Sequence, residues 1–194
     1  YANGATITAQ MGDCFADPAY AARVRERAAE RPAFSAVPLP GVLRCDAEGR
    51  IDTLPVGELL STLAARHPGR VLYVDFCSTW CAPCRRVLKT AMPVLREHYA
   101  GSGDVRFVTL CLKSRRKAWI GFLDEFGLTH LGENYFLPET ASSLAMAEYD
   151  LPGFPTYALI APGGRLVTLR APRPAEFERV TAAIDALLAE RPYR

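Results

Sequence analysis

Two patterns of apolar residues alternate along the chain from residue 55 onward. Short continuous runs, rich in β-branched and aromatic side chains, predict buried strands at 71–76 and 105–112. Apolar residues spaced three and four positions apart predict helices, which fall at 55–67, 81–99, 114–127, 139–150 and 174–190. Two further apolar runs, at 155–161 and 165–171, flank a Pro-Gly-Gly turn and predict a hairpin.

This order of elements, with a βαβ unit first and a ββα unit last, predicts an α/β fold. The strands of a βαβ unit run parallel and those of a hairpin antiparallel, so we expect a mixed central sheet with helices on both faces. The helices at 114–127 and 139–150 form an insertion before the hairpin. Pro93 is expected to kink the helix at 81–99, because proline removes a backbone hydrogen bond and clashes with the preceding turn.

Residues 1–54 are interpreted as an N-terminal extension. An Asp-Pro pair begins a predicted helix over 17–31, and short runs at 42–45 and 50–53 on either side of Asp-Ala-Glu-Gly predict a hairpin. We therefore divide the chain into this extension, 1–54, and an α/β domain, 55–194.

Composition narrows the range of functions. A hydrophobic content of 49% and a charged content of 23% exclude a largely disordered chain, and 194 residues can bury a sizeable core. A net charge of +2 is too small for a nucleic-acid-binding face. No apolar run approaches the roughly 20 residues that cross a bilayer. The start at Tyr1 favours a mature form or a piece of a longer protein, so we expect any membrane tether to lie outside this segment.

Three of the six cysteines fall within eight positions, at Cys77, Cys81 and Cys84. The Cys81-x-x-Cys84 pair lies where a predicted strand meets a predicted helix, so Cys81 is expected at the helix N-terminus. Unpaired backbone N–H groups and the helix dipole stabilise a thiolate there, which is the form that attacks a disulfide. Cys84, one turn further on, can then resolve the mixed disulfide. The alternative is half of a zinc site, but the sequence offers no second ligand pair at suitable spacing.

Two further features have the chemistry to assist this pair. Asp75 lies inside an apolar strand, where burial raises the pKa of a carboxyl group, so it could accept the proton from Cys84; the alternative is an acid that reaches solvent at the strand end. The Gly-Phe-Pro-Thr segment at 153–156 comes before the hairpin. A cis bond at Pro155, facing the active sulfur, would expose backbone groups of this loop to an extended substrate.

The sequences DFCSTWCAPC (75–84) and AMAEYDLPGFPTY (145–157), together with the aromatic insertion between them, resemble the thioredoxin superfamily. Within it, residues 55–194 are most similar to the TlpA/ResA-like thiol-disulfide oxidoreductases. The resemblance implies a thioredoxin fold in which Cys81 attacks, Cys84 resolves, Asp75 is the buried acid and Pro155 is the cis-proline. We expect four substrate-binding positions around this site, which are Trp80, Phe154, Pro155 and Thr156.

The same resemblance implies an enzyme that works in the periplasm or cell envelope and reduces protein disulfides. Its partners would be a disulfide-containing client protein and an upstream thiol electron donor. No cofactor and no metal are expected, and nucleic acid is not an expected partner.

The chain also departs from this family pattern. Cys77 stands where many relatives carry an aromatic residue, and it is either an inert core thiol or a thiol that could trap Cys81 or Cys84 in a disulfide. Thr109 stands where some thioredoxins place a lysine near the buried acid, which leaves Asp75 without that cation. Cys14 and Cys45 are a candidate structural disulfide that would pin the extension to the hairpin.

Two other functions compete with the oxidoreductase hypothesis. Cys77 and Cys81 supply two soft thiolates, the ligand type of copper-delivery proteins on the same fold, but no histidine lies beside the Gly-Phe-Pro-Thr turn. A non-catalytic interaction domain is the other possibility, and an intact Cys-x-x-Cys pair argues against it. The basic run at 113–117 is interpreted as a solvated helix start, with docking to an acidic partner as the alternative.

Overall fold

The computed structural model describes residues 39–56 and 58–190. Within these ranges the chain forms seven strands and six α-helices. The strands are β1 (Leu39–Cys45), β2 (Ile51–Val56), β3 (Val71–Cys77), β4 (Val105–Cys111), β5 (Glu133–Phe136), β6 (Thr156–Ile160) and β7 (Leu166–Thr168). The helices are α1 (Leu59–Arg66), α2 (Ala82–Lys89), α3 (Ala91–His98), α4 (Arg116–Glu125), α5 (Glu139–Glu148) and α6 (Phe177–Ala189).

All seven strands belong to one mixed sheet with the order β2-β1-β5-β4-β3-β6-β7. The expected βαβ unit is confirmed, since β3 pairs parallel with β4. The closing hairpin is also confirmed, because β6 runs antiparallel to β3 and to β7. β3 therefore lies near the centre of the sheet, and its carboxyl end leads directly into the Cys-x-x-Cys segment.

Alternate residues of β3 point to two separate hydrophobic clusters, as the period of two in a strand requires. Leu72, Val74 and Phe76 pack on the face covered by α1 and α5. Val71, Tyr73 and Cys77 pack on the face covered by α2, α3, α4 and α6. Asp75 has the same alternation as this second set, so its side chain belongs to the face that carries the cysteine pair.

The insertion before the hairpin contains a strand that the hydrophobic pattern did not predict. β5 is only four residues long and pairs parallel with β4 and antiparallel with β1. A 3₁₀ turn, Leu128–His130, leads into it. Gly132 fits this approach because a Cβ atom at that position would lie 2.4 Å from the carbonyl oxygen of Phe107. Such a short run gives little periodicity, and its pairing with distant strands decides its conformation.

The predicted kink at Pro93 is instead a break between two helices at Thr90. Thr90 caps α2 and precedes α3 with φ −118° and ψ −68°. A proline ring clashes with the carbonyl group four residues earlier, which here is that of Lys89, the last residue of α2. The proline therefore separates the helices before its own position.

The predicted hairpin of the N-terminal extension is present as β1 and β2. It joins the main sheet through β5, because β1 extends from residue 39 and pairs with that strand. The proposed division after residue 54 falls inside β2 and stays a prediction. The predicted helix at 17–31 lies outside the described residues. Among the helices of the described ranges, none combines the length and apolar character needed to span a membrane.

Candidate active site

The Cys-x-x-Cys pair lies at the junction of β3 and α2, where the sequence predicts it. After β3 the chain turns sharply, and the amide of Cys81 donates to the carbonyl oxygen of Ser78 at 3.1 Å. Cys81 is the N-cap of α2, and Cys84 lies in the first turn. The two residues form a disulfide with their Cα atoms 5.3 Å apart.

The position of Cys81 favours negative charge on its sulfur. The backbone amide of Cys84 donates to Cys81 Sγ at 3.2 Å, as an N-cap acceptor requires. The positive end of the α2 dipole acts in the same direction. Arg85, a nearby cation, is engaged elsewhere, because its guanidinium donates to Glu125 at 2.5 and 2.6 Å. The local backbone is therefore the main source of stabilisation for a Cys81 thiolate.

Both sulfurs are well covered, since Cys81 is 3% exposed and Cys84 1% exposed. The sequence alone suggests a more open Cys81. Both cysteines are therefore buried, and Cys81 differs from Cys84 in its position at the N-cap of α2.

An aromatic rim stands beside the disulfide. Trp80 is 67% exposed, and its indole N–H donates to the carbonyl oxygen of Lys113 at 2.7 Å. The ring of Phe154 contacts it edge to face, with centroids 6.0 Å apart. The Phe154–Pro155 peptide bond is cis. Thr156 begins β6 opposite Phe76 of β3, and its hydroxyl donates to the carbonyl oxygen of Gly153 at 2.7 Å.

A shallow groove of about 330 Å³ continues from this rim. It runs from Trp80 past the start of α4 to Glu139. Arg115 lines this groove and is exposed, whereas Lys113 pairs with Glu139 at 2.5 Å. A large exposed tryptophan next to a groove lined by an exposed arginine is a surface suited to a peptide segment.

Asp75 is 2% exposed and lies on the sheet face that carries the pair. Burial raises the pKa of its carboxyl group to about 7, and the attraction of Arg96 opposes part of that rise. Within the described ranges, its Oδ1 atom has no hydrogen-bond partner. Tyr157 lies opposite Asp75 in the β3–β6 ladder. A carboxyl group with this pKa can exchange a proton near neutral pH.

Arg96 is the functional candidate that sequence reasoning missed. It lies on the inward face of α3, is 9% exposed, and places its guanidinium 5.7 Å from the centre of the Phe107 ring. Burial lowers its pKa to about 10, while Asp75 raises it. Arg96 is thus a cation that acts on Asp75 although position 109 is threonine and not lysine. An arginine on an otherwise apolar helix face was the available signal.

Cys77 is fully buried and faces Cys111 of β4 in the parallel ladder. Cys45 is a buried free thiol whose Sγ lies 3.7 Å from the carbonyl oxygen of Asp46. Its predicted partner Cys14 lies outside the described residues, so a Cys14–Cys45 disulfide stays a prediction. Within residues 39–56 and 58–190, no three His, Cys, Asp or Glu side chains group as a metal site would require.

Several solved structures are similar to this chain in fold. A candidate thiol-disulfide oxidoreductase from Bacteroides vulgatus matches with a TM-score of 0.56 and 25% identity, covering 79% of this chain and 99% of that one. The chain has the thioredoxin fold. A candidate thiol:disulfide interchange protein, DsbE, from Chlorobium tepidum matches at 0.56 and 23% identity, covering 79% and 96% of the two chains.

A thiol-disulfide oxidoreductase from Bacteroides fragilis is a third example, with a TM-score of 0.55 and 18% identity over 78% of this chain and 100% of that one. No protein-family model and no curated protein matches the chain. The likeness is therefore one of three-dimensional fold.

Proposed function

We propose that this protein is a thiol-disulfide oxidoreductase that reduces disulfides of client proteins in the cell envelope. The observation that carries the proposal is the Cys81–Cys84 disulfide at the N-terminus of α2. A buried carboxyl group, that of Asp75, whose pKa is raised to about 7, lies on the same side of the sheet. The thioredoxin fold and the oxidoreductases among its structural neighbours support the same function.

In the proposed cycle the Cys81 thiolate attacks a client disulfide. One client sulfur leaves as a thiolate, and a Cys81–client mixed disulfide forms. Cys84 then loses its proton and attacks Cys81 Sγ, which releases the second client sulfur and closes the Cys81–Cys84 bond. An upstream dithiol donor then reduces the Cys81–Cys84 disulfide and restores the two thiols.

Asp75 is proposed to accept the Cys84 proton. Cys84 is enclosed, so water has little access to its thiol and an internal base is useful. With a pKa of about 7, the carboxyl group is a base that can take up and release a proton near neutral pH. Arg96 is proposed to act through Asp75, since its charge keeps that carboxyl group from becoming a still weaker acid.

The aromatic rim is proposed to hold the client. Trp80 and Phe154 offer apolar surface beside Cys81, and the Phe154–Pro155–Thr156 loop can align an extended segment next to the disulfide. Trp80→Ala is expected to raise KM for a protein client about tenfold or more, which is the scale of an interface anchor. The rate at which a small reagent alkylates Cys81 in this variant should stay near the wild-type rate.

Reduction of insulin by the protein, driven by dithiothreitol, tests the activity directly. The wild type should accelerate precipitation of the insulin chains, and Cys81→Ala should remove the acceleration. Cys45→Ala is the matched control, because it deletes another buried thiol of the same hydrophobic cluster. Equal rates for wild type and Cys81→Ala would show that the domain is not catalytic.

The envelope location is supported by the resemblance of residues 55–194 to TlpA/ResA-like proteins. A fusion of the full-length protein to a reporter that is active only outside the cytoplasm tests it. We expect that reporter to be active. A silent reporter in a fusion that is expressed and intact would contradict the proposed envelope location.

A further inference from the structure

A second pair of thiols lies in the same buried cluster as the active-site disulfide. Cys77 ends β3, Cys111 ends β4, and the two are register partners in the parallel ladder. Both are 0% exposed and both carry free thiols. Partners in neighbouring strands have Cα atoms about 4.8 Å apart, inside the range of roughly 4.4–6.8 Å that a disulfide bridges. Their side chains share one face, so the strands can stay paired while a bond forms.

The surroundings of this pair favour a reactive sulfur. The Cys77 thiol donates toward Cys111 and is the main reason that the pKa of Cys111 is lowered, with the Ser114 hydroxyl and the Thr79 amide acting in the same direction. Interaction with Cys111 and burial both raise the pKa of Cys77. The two thiols therefore interact, so a thiolate formed in this pair is stabilised by the remaining thiol. The thiolate is the form that attacks a disulfide.

The pair is also linked to the active-site turn through neighbouring residues. Cys77, Cys111, Cys81 and Cys84 all belong to one buried cluster. The turn from Ser78 to Cys81 brings the start of α2 back over the end of β3. The Thr79 amide in this turn donates to Ser114 Oγ at 3.0 Å, which ties the turn to the segment after β4.

We propose that Cys77 and Cys111 are a second redox-active dithiol, which exchanges internally with the Cys81–Cys84 disulfide. For the exchange step, this inference rests on the thiol-disulfide chemistry proposed above. Because both thiols are fully covered, no external oxidant reaches them directly. The active-site disulfide is then their route to oxidation.

The exchange balances without any added reagent. A thiolate of the buried pair attacks one sulfur of the Cys81–Cys84 bond, which breaks as a mixed disulfide forms. The other thiol of the buried pair, once deprotonated, attacks that mixed disulfide and closes the Cys77–Cys111 bond. Two electrons and two protons have then passed to Cys81 and Cys84, which end as thiols. A reduced protein would thus hold four electrons for its clients instead of two.

The Cys77–Cys111 disulfide should be easier to reduce than the Cys81–Cys84 disulfide. Forming it moves the two Cβ atoms from the spacing of neighbouring strands to about 3.8 Å, and the resulting strain makes a disulfide easier to reduce. The protein with a single disulfide should therefore hold it mainly at Cys81–Cys84, as the structure has it. The buried pair should become oxidised only after the active site is reoxidised.

The test uses the full chain, fully reduced, in glutathione buffers of increasing oxidising strength. The reaction is stopped with acid, the protein is unfolded and alkylated, and each cysteine is measured by peptide mass spectrometry. Wild type and Cys45→Ala should lose all four thiols of the two pairs, with a Cys77–Cys111 bond detected. Cys111→Ala should lose only those of Cys81 and Cys84.

The internal route is tested with Cys81→Ala, which should form the Cys77–Cys111 bond at least tenfold more slowly than the wild type. An equal rate would overturn the exchange, and a wild type that keeps Cys77 and Cys111 as thiols in the most oxidising buffer would overturn the whole inference. Insulin reduction is a separate readout. Loss of that activity together with a rapidly formed buried bond would count against the proposed function and not against the second pair.

Discussion

Replacement of Asp75 by asparagine should change how stability depends on pH. Burial raises the pKa of this carboxyl group from 3.8 to about 7 in the folded protein. Between those values the folded state binds more protons than the unfolded state, so the stability of the wild type falls as pH rises and levels off above pH 7. Asparagine has no such proton to lose. The two proteins should therefore diverge as pH increases.

The size of the effect follows from the two pKa values. Integrating proton binding from pH 5 to pH 8 gives a loss of about 2.6 kcal/mol for wild type relative to Asp75→Asn. Urea unfolding of the oxidised proteins at both pH values measures it. Asp124→Asn, on the exposed face of α4, serves as the control and should show no comparable divergence. A stability difference between wild type and Asp75→Asn that is the same at pH 5 and pH 8 would refute the reasoning.

Two other substitutions test the surroundings of the site. Arg96→Gln removes the cation that opposes the rise in the Asp75 pKa, so the pH at which stability stops falling should move upward by about one unit. The same urea unfolding series measures this pH, and an unchanged value would contradict an attraction between Arg96 and Asp75. Gly132→Ala places a Cβ atom 2.4 Å from a carbonyl oxygen and should destabilise the fold by about 2 kcal/mol or more. Gly121→Ala, in the open middle of α4, should instead stabilise it by roughly 0.5–1 kcal/mol, and similar effects at both glycines would exclude the clash.

The elements that position the cysteine pair were predictable from sequence because their signals are local. The apolar run that forms β3 is long enough to identify a strand, and it leads directly into Cys81-x-x-Cys84. Asp75 stood out as a charge inside that run. The parallel and antiparallel pairings followed from the order of elements.

Features that depend on pairing between distant segments were not predictable in this way. β5 has too few residues to show a period, and it exists because β1 and β4 flank it. Arg96 approaches Asp75 only because α3 folds over β3, and Cys111 meets Cys77 only through strand register. The sequence predicts a kink at Pro93, whereas the helix breaks at Thr90, because the proline ring clashes with the carbonyl group of Lys89 four residues earlier.

The acidity of Cys81 in the reduced protein is the most direct test of the account. Its rate of alkylation by iodoacetamide, followed at the Cys81 peptide across pH, reports the fraction of thiolate. Because the Cys84 amide and the α2 dipole both favour the anion, we predict a Cys81 pKa near 7 or below, against about 8.5 for a free cysteine. A Cys81 that titrates like a free thiol would contradict it.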